Sequence, residues 1–439
     1  MMDHSGKRML LLGGLAPNVD IAKRMRERGI YTIVADYLPD SPAKAFANET
    51  SMLSVNEVDE IVALCKEKHV DGILHGSCGF GERFYAQICE KLGLPCLGTY
   101  EQARIFGNKE LFKEKCLEYG IPVIKTYEIN DAEDAAAFDA IEYPVVVKPA
   151  DSSGSKGISM CRTKEELRNA VNAAKRFASE GRLIVEKHMS TEHFSTSVCI
   201  QNGKAFSYPH DRLAYRDRSG FDSITHILLY PSKYSEMYFK TTGSQFEKMF
   251  ADMKFDTSNL FISTVLSEDK KHFLPFDPGF RFMGCQEYII VEKAWGINLI
   301  DMCIDYALTG KLFDEYRLPE NFYTMNGKKL AAFCIIAGAG KIAAIDGLDA
   351  LRADPAVFHI SEALTVGDEI TAIGTTQQTV VRVHLCCDTK EEMLEAVKRI
   401  CTMLSVKDEH GNEMLWPGYS KETYWTEGGV EKWLVEHLA

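Results

Sequence analysis

Apolar positions follow two different rhythms along this chain. In the first hundred residues, short continuous apolar runs alternate with amphipathic stretches. Met9-Leu10-Leu11-Leu12 ends in Gly13-Gly14, an amphipathic stretch over 19–28 stops at Gly29, and 31–37 (YTIVADY) is strand-like again. A helix over 58–68, an extended segment over 72–75 and a helix over 82–92 continue the series. Strands separated by helices of about ten to fifteen residues predict βαβ units and a parallel sheet.

Beyond residue 105 the rhythm changes. A helix over 109–119 closes at Gly120, with Pro122 as a stop signal. YPVVVKP (143–149) is a strand entering a small-residue loop over 150–157, and 183–189 is another strand. Strands over 195–200 and 204–208 flank Asn202-Gly203, a strong hairpin signal. The stretch 211–221 is charged and irregular and reads as a mobile loop. Strands over 260–266 and 272–276 follow, then one long helix over 285–308 ending at Gly310. From Lys328 onward strands dominate, with one amphipathic helix over 390–404. The expected organisation is therefore an α/β parallel-sheet domain (1–105), a central α+β region (106–327) and a β-rich C-terminal lobe (328–439).

Composition narrows the function. The 439 residues are 46% hydrophobic and 26% charged, as in ordinary globular chains. Net charge is −13, which disfavours nucleic acid or an anionic membrane as the main partner. No run of 18 apolar residues occurs, and residues 1–7 lead straight into a strand, so neither a membrane span nor a signal sequence is expected. The 13 cysteines are scattered without a CxxC pair. Cys65, Cys116 and Cys303 fall at apolar helical positions, as small core hydrophobes do. A cytoplasmic, reduced enzyme is the expectation.

Gly13-Gly14 after a strand, with Asp36 near the end of the next, imitates a dinucleotide fingerprint. GGLAPN lacks the third glycine and carries Pro17 in the first turn, so a tight turn in an open sheet is the plainer reading. His75, Ser77 and Cys78 stand at a strand end, where α/β sheets bind ligands, though a satisfied turn histidine is the plainer reading. The loop after Lys148 contains Ser152, Ser153, Gly154, Ser155, Lys156 and Gly157. Small residues there let backbone amides close on phosphate oxygens while hydroxyls and Lys156 add donors. A solvated hairpin is the alternative.

Four segments in order carry a stronger signal: Asn108-Lys109 opening a helix, YPVVVKPADSSGSKG, LIVEKHM with Glu192 beyond, and FDPGFRFMG. Together they resemble the ATP-grasp superfamily over nearly the whole chain. The resemblance implies a pre-ATP-grasp parallel-sheet domain followed by two lobes that clamp ATP, with Mg²⁺ as the companion ion. It implies that Lys109 and Lys148 reach the nucleotide, that Ser153, Gly154, Ser155, Lys156 and Gly157 cover its phosphates, and that Glu186 reads the adenine amino group. Lys187, His188 and Met189 would form the hinge along the base. Arg281 matches the arginine of the family's E-x-N-x-R motif.

This chain departs from that motif, which reads Asp277, Gly279 and Arg281 here. Asp277 is the one matching metal carboxylate, and Thr264 stands where a partner glutamate is expected. Glu192 is the nearest acid to the ribose position, where Ser195 or His193 falls. Arg212, in the charged stretch with Arg216, is a candidate for phosphate or a carboxylate substrate. The implied activity is a ligase that converts a small carboxylate into an acyl-phosphate and joins it to an amine or another nucleophile, releasing ADP and phosphate. Its partners would be small molecules, with room for a homodimer. An ATP-binding protein without turnover is the alternative, and an NAD-dependent dehydrogenase a more distant one.

Overall fold

The computed structural model describes residues 4–76, 81–129, 138–150, 157–178, 182–216, 222–416, 425 and 429–438. The first sheet is parallel and holds β1 (Arg8–Leu12), β2 (Tyr31–Ala35), β3 (Glu49–Ser51) and β4 (Gly72–His75) in the order β3-β2-β1-β4. The apolar run of β1 is buried on both faces. Met9 and Leu11 pack with Ile21 and Met25, and Leu10 and Leu12 with Ile61 and Ile88. Helices on both sides of a parallel sheet require such a run.

A second sheet is antiparallel: β5 (Thr126–Tyr127), β6 (Val145–Pro149), β7 (Ser159–Cys161) and β8 (Leu183–Lys187), ordered β5-β8-β6-β7. Val145, Val147 and Val185 pack on Leu167 and Val171 of the helix Lys164–Ala174. Thr163 caps that helix, its hydroxyl oxygen accepting from the Glu166 amide at 3.2 Å.

The third sheet is the largest. Its members are β9 (His193–Gln201), β10 (Lys204–Arg216), β11 (Asp222–Tyr230), β12 (Ser258–Leu266), β13 (Phe273–Gly279) and β14 (Lys329–Ile336). Past the short β15 (Gly340–Lys341) and β16 (Ala344–Asp346) come β17 (Val357–Glu362), the short β18 (Glu369–Ile370) and β19 (Thr379–Cys387). The order β13-β12-β9-β10-β11-β14-β19-β17 runs continuously across residue 328, because β14 pairs with β11. β15 pairs with β18, and β16 with β20 (Ser405–Lys407). One face of the large sheet buries Phe194, Val198 and Ile200 on Phe106, Phe112 and Phe246. Further along, Phe333 and Val381 pack on Met393 and Val397 of the helix Lys390–Met403. The opposite face packs Tyr208, Leu228 and Leu330 against the helices Glu287–Trp295 and Leu299–Thr309.

Most expected elements occur within a few residues of their predicted bounds, but beyond Lys328 helices over Leu348–Ala353 and Val430–His437 join the one expected, and two other segments differ. The stretch 211–221 is not a loop through its first half: β10 continues to Arg216, and 217–221 lie outside the described residues. The expected single helix over 285–308 is two helices. The first ends at Gly296 with φ +69°, and Asn298 caps the second by accepting from the Asp301 amide at 2.9 Å. No helix among the described residues is long and apolar enough to cross a membrane.

Candidate nucleotide and substrate site

Lys148 is the fourth residue of β6, and its ammonium is buried between β8 and β13. Nζ donates to Glu186 Oε1 at 2.5 Å and to the Phe276 carbonyl at 3.2 Å, and it lies 5.1 Å from the centre of the Phe276 ring. The other Glu186 oxygen accepts from Lys113, which also donates to Thr126 Oγ1 at 3.0 Å. Burial works to raise the Glu186 carboxyl, but Lys148 and Lys113 outweigh it and hold the group below the ordinary carboxylate value. Burial likewise pulls Lys148 below the ordinary lysine value, against the attraction of Glu186.

Lys109 stands one turn before Lys113 on the helix Lys109–Glu118, so both lysines lie on one helix face. Asn108 fixes the helix start, its Oδ1 accepting from the amides of Glu110 at 3.0 Å and Leu111 at 3.2 Å. The Lys109 amide donates to Ala150 O at 3.1 Å, which ties this helix to the end of the Lys148 strand. Lys109 Nζ is 3.1 Å from Asp277 Oδ1 near the end of β13. A few residues on, Arg281 Nη1 donates to the Phe282 carbonyl at 2.8 Å, and the guanidinium lies 4.8 Å from the Phe261 ring centre. Its Nε is 3.5 Å from Glu82 Oε1.

Glu82 opens the first helix beyond β4, and its Oε1 also accepts from the Phe280 amide at 3.2 Å. Burial pushes this carboxyl up to about 8, despite Arg281 and Lys109 nearby. Glu287 is likewise buried and pushed up to about 8, with Oε1 accepting from the Met283 amide at 2.8 Å. Thus Lys109, Lys148, Asp277 and Arg281 share one neighbourhood, where β6 and β8 meet the end of β13 and the first helix after β4.

Other expected residues are placed as follows. Ser153, Gly154, Ser155 and Lys156 lie outside the described residues, as do Ser77 and Cys78. Gly157 ends that loop with φ +73°, and a Cβ there would sit 3.0 Å from Pro149 and Phe177 atoms. In the hinge, the Lys187 amide donates to Lys125 O at 3.0 Å and the His188 amide to Pro144 O at 2.9 Å. Lys187 Nζ pairs with Glu268 at 2.7 Å, and Met189 follows in irregular backbone. Glu192 is surrounded by cations. It accepts from Tyr234 and from Lys270 at 2.7 Å, with Lys233 at 3.3 Å and His437 at 3.2 Å. Burial opposes its ionisation, yet the bonds from Lys270 and Tyr234 and the charge of Lys233 pull it down to about 2.

Arg212 does not sit in a solvated loop. It lies on β10 opposite Leu228 and His193, and its neighbour Asp211 is buried, accepting from Ser232 and from the Lys233 amide at 3.1 Å. Sequence reasoning missed Lys113, Glu82 and Arg382. Lys113 was visible as the i+4 partner of Lys109. Glu82 follows a strand end, and Arg382 interrupts the apolar run TVVRVHL.

Among the described residues, no group of three or more His, Cys, Asp or Glu side chains could hold a metal ion. The donor set around Asp277 suits a divalent ion only where phosphate oxygens and water complete its shell.

The family described as "Carbamoyl-phosphate synthase L chain, ATP binding domain" matches residues 108–197, and "L-amino acid ligase C-terminal domain 2" matches 332–409. Formate-dependent phosphoribosylglycinamide formyltransferase from Pectobacterium carotovorum is 31% identical over 184 residues, covering 41% of this chain and 46% of that protein. The 2-oxoglutarate carboxylase small subunit of Hydrogenobacter thermophilus is 29% identical over 187 residues, covering 38% of this chain and 39% of that one. The chain therefore spans less than half the length of these curated relatives. Among solved structures, L-amino acid ligase from Bacillus licheniformis superposes with TM-score 0.73 at 16% identity, covering 92% of this chain and 99% of that one. The biotin carboxylase domain dimer of H. thermophilus 2-oxoglutarate carboxylase, solved with MgADP, ADP and bicarbonate, gives TM-score 0.72 at 19% identity, covering 93% and 91%. At such identities the likeness establishes the fold. The matched segments and the shared fold support a place in the ATP-grasp superfamily.

Proposed function

We propose that this protein is an ADP-forming ligase that activates a small carboxylate as its acyl-phosphate and joins it to an amine or another nucleophile. The observation that carries the reading is the gathering of Lys109, paired with Asp277, with Lys148, paired with Glu186, and Arg281, which faces Glu82. A carboxylate oxygen is a very poor leaving group. Phosphorylation replaces it with phosphate, after which catalysis is chiefly positioning and neutralising anionic oxygens.

In this proposal Lys109, Lys148 and the loop Ser153–Gly157 hold ATP phosphates, while Glu186 and the segment Lys187, His188 and Met189 border the base. Glu192 is the proposed ribose acid. Arg281, with Arg212, faces the transferring phosphoryl group and the carboxylate. Mg²⁺ would arrive with ATP and take Asp277 as its protein ligand, neutralising phosphate charge when bound. Residues 1–105 are proposed as the pre-ATP-grasp domain, 106–327 as the nucleotide-cleft region and 328–439 as the C-terminal lobe. Small-molecule acids and amines are the proposed partners, and the cytoplasm the proposed location.

The test is ADP release with pools of amino acids and small carboxylates, measured beside nucleotide affinity. Asp277→Asn is expected to suppress turnover at least tenfold while changing ADP affinity much less, because its charge matters most during phosphoryl transfer. Normal turnover in that variant would remove the metal assignment. The second reading, ATP binding without turnover, is favoured by the Lys109–Asp277 contact, which engages the carboxylate an incoming ion needs. ATP binding with no ADP release for any acid and nucleophile would select it.

A further inference from the structure

Cys285 lies in the turn between Arg281 and the helix Glu287–Trp295, and Cys334 lies on β14. Their sulfurs are 3.9 Å apart. We infer that these two thiols are a peroxide-oxidisable pair that closes to a disulfide beside Arg281. The assignment goes beyond ligase activity and does not depend on it.

Closure requires the sulfurs to approach from 3.9 Å to about 2.05 Å. Cys334 is held in the sheet, since β14 pairs with β11 as far as Phe333 and with β19, where Arg382 stands opposite Cys334. The turn is the freer partner. A Cβ built on Gly284 meets nothing within 4 Å, so there is open space on that side of the turn. Cys285 is partly exposed and Cys334 is buried, so peroxide reaches Cys285 first and Cys334 resolves.

The surroundings favour the same order. The Cys334 thiol, donating to Cys285, lowers Cys285 against the opposing effect of burial. Arg382, Arg212 and Arg281 lower it further, below the ordinary thiol value. Thiolate is the attacking form, and the lowering favours it on Cys285. Burial instead pushes Cys65 and Cys161 up to about 12 and Cys387 up to about 11. A second pair, Cys96 and the buried Cys89 in the first domain, has a similar arrangement, and a peptide map tells the two apart.

The chemistry balances with hydrogen peroxide as oxidant. Cys285 thiolate attacks one peroxide oxygen, the O–O bond breaks, and hydroxide leaves and is protonated to water. The resulting sulfenic acid is attacked by the Cys334 sulfur, which forms the S–S bond and releases a second water. Two thiols are oxidised by two electrons and one peroxide is reduced to two waters.

The test treats the full chain with a small excess of hydrogen peroxide at pH 7 and reads intact mass, non-reducing peptide maps and recovery with dithiothreitol. The expected result is loss of two hydrogens, one Cys285–Cys334 linked peptide and full reversal. In Cys334→Ser, a dimedone adduct should form on Cys285, because the sulfenic acid has no resolving thiol. A linked Cys89–Cys96 peptide without the Cys285–Cys334 one, or unchanged mass in the unmodified protein, would overturn the inference. Dimedone labelling confined to another cysteine would overturn it as well.

Discussion

Glu186 holds two buried ammonium groups, one on each carboxylate oxygen, and this arrangement sets what either lysine can do. Attraction in the interior offsets the desolvation of three charges only while all three are present. Glu186→Gln removes the shared anion and leaves Lys113 and Lys148 facing each other. The expected loss is about 3–5 kcal/mol of unfolding free energy, together with weaker ADP binding, read by urea denaturation and calorimetric titration. Lys113→Met keeps the Lys148 pair and should lose less, about 1.5–3 kcal/mol for one charged hydrogen bond. A Glu186→Gln protein as stable as the parent would refute this account. The pattern YPVVVKP located Lys148, and LIVEK located Glu186. Lys113 escaped notice because it matches no motif and contributes through a pairing 73 residues distant.

At the scale of elements, local signals fixed boundaries where capping or turn chemistry was decisive. Asn202 and Gly203 have φ of +49° and +80°, the turn that joins β9 to β10. Gly296 and Asn298 carried an equally clear break between two helices, but the high apolar content on both sides of it masked it. The error at 211–216 has a different cause. Asp211 is buried on the strand because Ser232 and the Lys233 amide satisfy it, and those partners lie on the far side of a hairpin. Asn108 permits a direct element-level test. Its carboxamide satisfies two amides of the helix that begins with Lys109. Asn108→Ala should cost about 1 kcal/mol of stability and weaken nucleotide affinity severalfold by loosening the Lys109 position. Asn108→Asp should recover most of the stability. Chemical denaturation of the three proteins checks this, and an Asn108→Ala variant with unchanged stability would show that the cap contributes nothing.

Across the whole molecule, Glu82 and Glu287 link stability to pH. Both are buried, burial is the largest cause of their shift, and both are pushed from the ordinary 4.5 up to about 8. The folded protein therefore keeps protons on these groups over a range in which the unfolded chain has released them. Because the native state binds more protons on these two groups there, their contribution to stability falls as pH rises from about 4.5 to about 8 and then levels off. Each unit separating folded and unfolded values corresponds to about 1.4 kcal/mol. Glu287→Gln removes one of the two groups while retaining an oxygen to accept from the Met283 amide. Its stability relative to the parent should therefore rise as pH goes from 5 to 8, the Glu82 contribution being common to both. The measurement is the urea midpoint of both proteins at half-unit intervals across that range. Parallel curves for the two would mean that Glu287 is ionised in the folded state and that its surroundings stabilise the anion.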